Sequence, residues 1–178
     1  RNAIAVSGAQ VVGETFVPLG SGDHSRLLDQ VRTSRADAVL LSMVGQDSID
    51  FNRAFGRLGL HRSVLRLSCA IEENQLLAIG PENTEDLYVP LGYFESLATD
   101  ANLAFKERYL AQFGQRAPAL NSIGQSLYEG LHFLGALRED RKPSVVMGHP
   151  SARGGSSGEA PIYLAQADGH AFEVITRF

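Results

Sequence analysis

The chain is short of the residues that announce most specialised chemistries. It has a single cysteine, Cys69, so no disulfide can close within it, and the count does not distinguish periplasm from cytosol. Tryptophan is absent, and only Lys106 and Lys142 among the 16 basic residues are lysines. Basic residues gather no further than pairs such as Arg141–Lys142, and the net charge is −4, which argues against a nucleic-acid surface. No apolar run approaches the ~20 residues of a membrane span. There is no GxGxxG turn and no Walker loop, and the GSG at Gly20–Gly22 is a very weak phosphate motif. The histidines His24, His61, His132, His149 and His170 are scattered, with no two at metal-ligand spacing, so neither a metal nor a cofactor is implied. His132 lies among apolar neighbours on a helix and reads as structural.

What is present is a globular composition, 44% hydrophobic and 20% charged, enough for one domain of ordinary size or two incomplete ones. The N-terminal RNAIAVSGAQ has one Arg and no long apolar core, so it is not a signal peptide. It does not begin like a domain either, and the chain reads as the back part of a longer protein.

Strand and helix signals alternate. Val11 to Pro18 has strand composition, and Asp23 is placed to cap a helix bearing Leu27, Leu28 and Val31. A strand over Asp37 to Val44 leads into a helix over Gln46 to Leu58. A third strand, Val64 to Ser68, leads into a short helix, Glu72 to Ile79, stopped by Gly80–Pro81, and Leu87 to Leu91 is a fourth strand. Such alternation predicts βαβ units and a parallel sheet. After Tyr93 the pattern changes. Asp100 caps a helix that Gly114 ends, and a second helix from about Asn121 carries Ile123, Leu127, Leu131, Leu134 and Leu137 on one stripe, which suggests a second lobe. A Ser/Gly/Pro-rich, mobile connection follows, and the ending PIYLAQADGHAFEVITRF reads as a hairpin turning at Asp168–Gly169.

Two strand-to-helix turns, Val44–Gly45–Gln46 and Cys69–Ala70–Ile71, are expected on one edge of the sheet, beyond the carboxyl ends of its strands, where open α/β sheets bind ligands. Helix N-termini there offer N–H groups to carboxylate, amide or urea oxygens, and Gly45 permits close backbone approach. Asp47–Ser48 either caps its helix or contacts a ligand. Glu72–Glu73 reads as favouring the helix dipole rather than as an acid/base pair. Cys69 reads as a small buried thiol, since no histidine is placed to activate it as a nucleophile. Hydrogen-bonding groups without acid/base machinery fit a receptor better than an enzyme.

Several segments, in order, carry a family resemblance: VVGETFVPLGSGD, LLSMVGQDSIDFNRAFGRLGL, LSCAIEENQLLAIG, GYFESLATDANLAF and the helix around SLYEGLHFLGAL. The chain resembles the later part of the type I periplasmic binding proteins for branched-chain amino acids, and within them the branch that binds urea and short-chain amides. The resemblance covers Val11 to about Leu137. It implies a fold of two Rossmann-like lobes with ligand held between them, the second lobe incomplete here. Residues 1–90 would form the α/β ligand-binding lobe 2, residues 91–140 helices of lobe 1, residues 141–159 the mobile connection, and residues 160–178 the hairpin returning to lobe 2. Lobe 2 of the family contacts ligand from the turns that here are Val44, Gly45, Gln46 and Cys69, Ala70, Ile71. Val44 stands where urea binders often have a polar residue.

The implied function is an extracytoplasmic receptor of an ABC importer, periplasmic or lipid-anchored outside the cell. Its implied partners are a small amide, urea derivative or amino acid, the importer's membrane subunits and, as a homodimer, a second copy. Two alternatives stand beside it: a cytosolic amide sensor of the same fold that sequesters a transcription regulator, and an α/β enzyme whose catalytic residues lie in a missing half.

Overall fold

The apolar run after Ala36 becomes β1 (Ala38–Leu41), whose Val39 and Leu41 face a core while Leu40 points the other way and is exposed. The computed structural model describes residues 2–138 and 161–178. The predicted mobile connection at 141–159 lies outside the described residues.

Four further strands join β1: β2 (Leu65–Ser68), β3 (Leu87–Leu91), β4 (Tyr163–Asp168) and β5 (Ala171–Arg177), in the order β1-β2-β3-β4-β5. The first three run parallel, and β4 and β5 add as an antiparallel hairpin beside β3. This is the α/β sheet the alternating signals predict, with the terminal hairpin completing it.

Helix α1 (Asn2–Val6) opens the chain. Helices α2 (Ser25–Ser34) and α3 (Gly45–Arg57) pack about Leu28, Val31, Phe51, Phe55 and Leu60 in one core. A second core joins α4 (Glu73–Ile79) to the sheet and hairpin through Ile71, Leu76, Val89, Phe94 and Phe172. Gly56 lets α3 meet the turn after α4 closely, because a Cβ there would lie 2.7 Å from the Asn83 Cα. Helix α5 (Asp100–Phe113) sends Phe105 into the second core, where it stacks on Tyr128 of α6 (Ser122–Arg138) at 4.8 Å.

Three sequence expectations fail. Val11 to Pro18 is not a strand: it is irregular and exposed, with Phe16 86% in solvent. Its composition suits a strand, but β1 ends the described sheet and no ladder takes up the segment's backbone groups. Asp23 is not the N-cap residue of α2; that position is His24, although Asp23 still accepts the Ser25 N–H at 2.9 Å. Likewise Asp100 is the first residue of α5, and Thr99 caps it by accepting the Asn102 N–H at 3.2 Å.

The predicted α6 helix forms, yet its stripe of Ile123, Leu127, Leu131 and Leu134 is exposed, each more than 60%. Burying such a stripe is what usually stabilises a helix of this kind, and among the described residues nothing covers this one.

Candidate functional site

Parallel pairing sets the geometry of the edge. Leu41 pairs with Ser68, so the chain leaves β1 and β2 side by side, and the next residues, Ser42 and Cys69, meet with Oγ and Sγ 3.8 Å apart. The two predicted turns therefore begin on one edge of the sheet, as expected from the strand order.

Val44 is the N-cap residue of α3 in extended backbone and is 52% exposed. Gly45, the first helical residue, has φ +60°, a region where a side chain is strained, and the space around its absent Cβ is open. Gln46 is exposed, and its Nε2 donates to Asp50 Oδ1 at 2.9 Å one turn along. The first N–H groups of α3 have no partner within the helix, so they are directed at this edge.

From the second turn, Cys69 reaches the same edge and Ala70 is half-buried. Cys69 is exposed, which corrects the expectation of a buried thiol: the residue lies one position past β2, where the chain has already left the core. Ile71 is fully buried among Leu76, Leu87 and Val89.

Asp47 takes neither of the roles open to it in the sequence. Its carboxylate turns from the edge and accepts the Gly20 N–H at 2.6 Å and the Gly22 N–H at 3.3 Å, with His24 Nε2 at 3.6 Å. These bonds, the Gly20 one first, hold its pKa below the ordinary carboxylate value. The GSG segment thus cradles a carboxylate of the chain itself, not a phosphate. Ser42 is the residue that sequence reading missed: an exposed hydroxyl beside Cys69, recognisable from its position directly after the apolar run.

Beyond the second turn the acidic pair divides. Glu72 precedes α4; Gln75 Oε1 accepts its N–H at 3.1 Å in a capping box. Burial raises its carboxyl pKa, opposed by the Ile123 N–H. Glu73 is buried, and Oε1 accepts the Glu95 N–H at 2.7 Å. A groove between α2 and α3, lined by His24, Asp50 and Arg57 among others, contains none of the six turn residues. Among the described residues no group of His, Cys, Asp and Glu is arranged to hold a metal ion, and no helix is long and apolar enough to cross a membrane. The edge therefore offers backbone N–H groups, a hydroxyl, a thiol and an apolar Val44, with the nearby carboxylates tied up elsewhere.

Comparison with known proteins identifies the fold to which this sheet edge belongs. A family model described as periplasmic binding protein matches residues 1–145. No curated protein sequence matches the chain. Among solved structures, an amino acid ABC transporter substrate-binding protein from Pseudomonas fluorescens Pf-5 superposes with a TM-score of 0.74 at 17% identity, covering 99% of this chain and 53% of that one. A branched-chain amino acid ABC transporter protein from Thermus thermophilus, with bound valine, gives 0.71 at 16% identity, with 99% and 55% covered. A solute-binding protein of an ABC transporter from R. palustris, in complex with 4-hydroxybenzoate, gives 0.71 at 18%, with 99% and 54% covered. The chain thus spans about half the length of these structural relatives.

Proposed function

The chain belongs to the type I periplasmic binding protein family, and from that membership we propose that it forms the ligand-binding lobe 2 of an extracytoplasmic receptor that delivers a small solute to an ABC importer. The observation that carries this reading is the shared sheet edge. The turn of Val44, Gly45 and Gln46 and the turn of Cys69, Ala70 and Ile71 start side by side, at Ser42 and Cys69, beyond the carboxyl ends of β1 and β2, where open α/β sheets bind ligands. The structural relatives bind valine in one case and 4-hydroxybenzoate in another, both carboxylates with an apolar body. The edge suits that chemistry: helix N–H groups for a carboxylate or amide oxygen, and Val44 for the apolar part. An amino acid or short amide fits it better than urea, which has no apolar body to set against Val44.

In this reading residues 1–90 and the hairpin at 160–178 make one lobe, and residues 91–140 supply helices to the other. The exposed α6 stripe is then the face that the rest of lobe 1 covers, and the ligand is held when the two lobes close. The reaction-free character of the edge favours binding without turnover.

Titration calorimetry of the two-lobed protein against amino acids, short-chain amides, urea and aromatic carboxylates tests the proposal. Micromolar binding of one class, lost on closing off the edge with Gly45→Val, is the expected result. Folded protein giving no heat with any class sinks the reading.

A further inference from the structure

The segment between β3 and α5 is gripped from two sides. From α5, the buried Asn102 donates through Nδ2 to the Glu95 carbonyl at 2.9 Å and the Leu97 carbonyl at 2.8 Å, and accepts the Tyr93 hydroxyl at 3.0 Å. From α4, Glu73 Oε1 accepts the Glu95 N–H at 2.7 Å. The two grips differ in kind. Asn102 is neutral at every pH, whereas Glu73 is a carboxyl group only 6% exposed whose second oxygen, Oε2, is buried with no hydrogen-bond partner among the described residues.

We propose that Glu73 is a proton-held latch on this segment: with its carboxyl neutral the Glu95 turn stays docked on α4, and ionisation of the buried, half-satisfied group favours release of the turn into water. An ionised carboxylate with one bare oxygen in a dry site is costly, and undocking is the route by which water reaches it.

Among the described residues, the groups facing Glu73 supply no cation to relieve that cost. Glu72 on its own element and Glu95 on the segment are both acidic, and both disfavour its ionised form. Tyr93 on the segment is held neutral by burial. Lys106 of α5 is spent on Glu95, 3.2 Å from Oε1 and 3.3 Å from the carbonyl. Arg53 of α3 donates to the Ala78 carbonyl, near the far end of α4. From β5 the apolar Phe172 enters the shared core, while Glu173 and Arg177 are exposed. Burial accordingly pushes the Glu73 carboxyl up to about 7, against the opposing pull of the Glu95 N–H and of its own backbone N–H.

The latch lies within the described residues, so it stands whether or not the solute-binding reading does. If that reading holds, the gripped segment leads from lobe 2 into the helices of lobe 1, and its docking would make lobe movement sensitive to pH near neutrality.

Amide hydrogen exchange and carboxyl NMR on the full chain test the latch. Glu73 should titrate near neutrality. Protection of the Glu95 amide, corrected for intrinsic base catalysis, should be flat below about pH 4.5, fall by up to roughly tenfold per pH unit towards about pH 7 and level off above, as one-proton linkage requires. Glu73→Gln keeps the acceptor and removes the charge, so its Glu95 amide should show no such fall. Glu73 titrating in the ordinary carboxylate range, or parallel profiles in the two proteins, would overturn the proposal. The wild-type titration alone decides it if the variant folds poorly, and loss of solute binding with the latch intact would count against the receptor reading only.

Discussion

The Asp47 carboxylate accepts the Gly20 N–H at 2.6 Å, tying the first turn of α3 to a loop 27 residues earlier in the sequence. The bond fixes the approach to α2 against the helix that carries Val44 and Gly45. Asp47→Asn weakens it by removing the charge, so the Gly20 and Gly22 amides are expected to exchange faster while the helical circular dichroism is retained. The depressed pKa gives the sign with pH. The contribution is present above the ordinary carboxylate value near 3.8 and is lost as pH falls through the lower folded-state value. Acidification should therefore loosen this loop in the wild type and leave the Asn variant unchanged.

Arg66 should prove the least replaceable polar residue of the lobe. It is fully buried in β2, with Nη1 donating to Asn52 Oδ1 at 2.9 Å, Nη2 donating to the Glu85 carbonyl, and the guanidinium 4.6 Å from the Phe55 ring centroid. Burial lowers its pKa to about 10, opposed by Asp86 and Glu85, so it remains charged at neutrality. Arg66→Ala removes the stem and strands two acceptors, each left unsatisfied at a cost of about 1–3 kcal/mol. Arg66→Met keeps the apolar stem and should cost less. Denaturant midpoints of the two variants measure the difference.

Glu73 gives a global stability signature distinct from local release. Its folded-state pKa is raised from 4.5 to about 7, so the native state binds a proton that the unfolded state has already given up. Stability should therefore fall as pH rises from about 4.5 to about 7, by roughly 3 kcal/mol at most, and level off above. Glu73→Gln should flatten that part of the curve, and a wild-type curve rising across the window contradicts the assignment.

The exposed stripe of α6 predicts self-association. Ile123, Leu127, Leu131 and Leu134 form a continuous apolar face, which soluble monomers rarely leave open. The chain alone should sediment as oligomers at tens of micromolar, and Leu127→Lys with Leu131→Lys should return it towards monomer without lowering its denaturant midpoint. If the pair instead unfolds the protein, the face is part of this chain's own core.

Much of the fold was legible because apolar periodicity and helix stops are local signals. Leu87 to Leu91 was placed to the residue, and the α3 and α4 boundaries fell within one residue, set by Gly45, Gly59 and Gly80–Pro81. What failed depends on neighbours. Val11 to Val17 has strand composition but no ladder to join, and Cys69 is exposed because the chain has left β2 by that point. Asp47 could not be assigned from sequence because Gly20 and Gly22 approach it only in three dimensions. Ser42 has a sequence signal in its place after the apolar run, but its neighbour Cys69 is set by the strand register.

Gly45 separates a role in binding from a role in folding. It has φ +60°, and Gly59, just beyond the other end of α3, has φ +66°; the Cβ position at each is open. Alanine at either site therefore meets no clash and suffers the same backbone strain, about 1–2 kcal/mol. Only Gly45 lies on the sheet edge beside Val44 and Gln46, where, in the proposed receptor, an added methyl would keep a ligand from the α3 N–H groups. In the two-lobed protein Gly45→Ala should weaken solute binding by about tenfold or more, the equivalent of losing one good hydrogen bond. Gly59→Ala should lower the melting temperature to the same extent and leave affinity within a factor of two or so. Equal loss of affinity in both variants would trace the effect to strain in α3, and would remove the Val44–Gly45–Gln46 turn from the binding site.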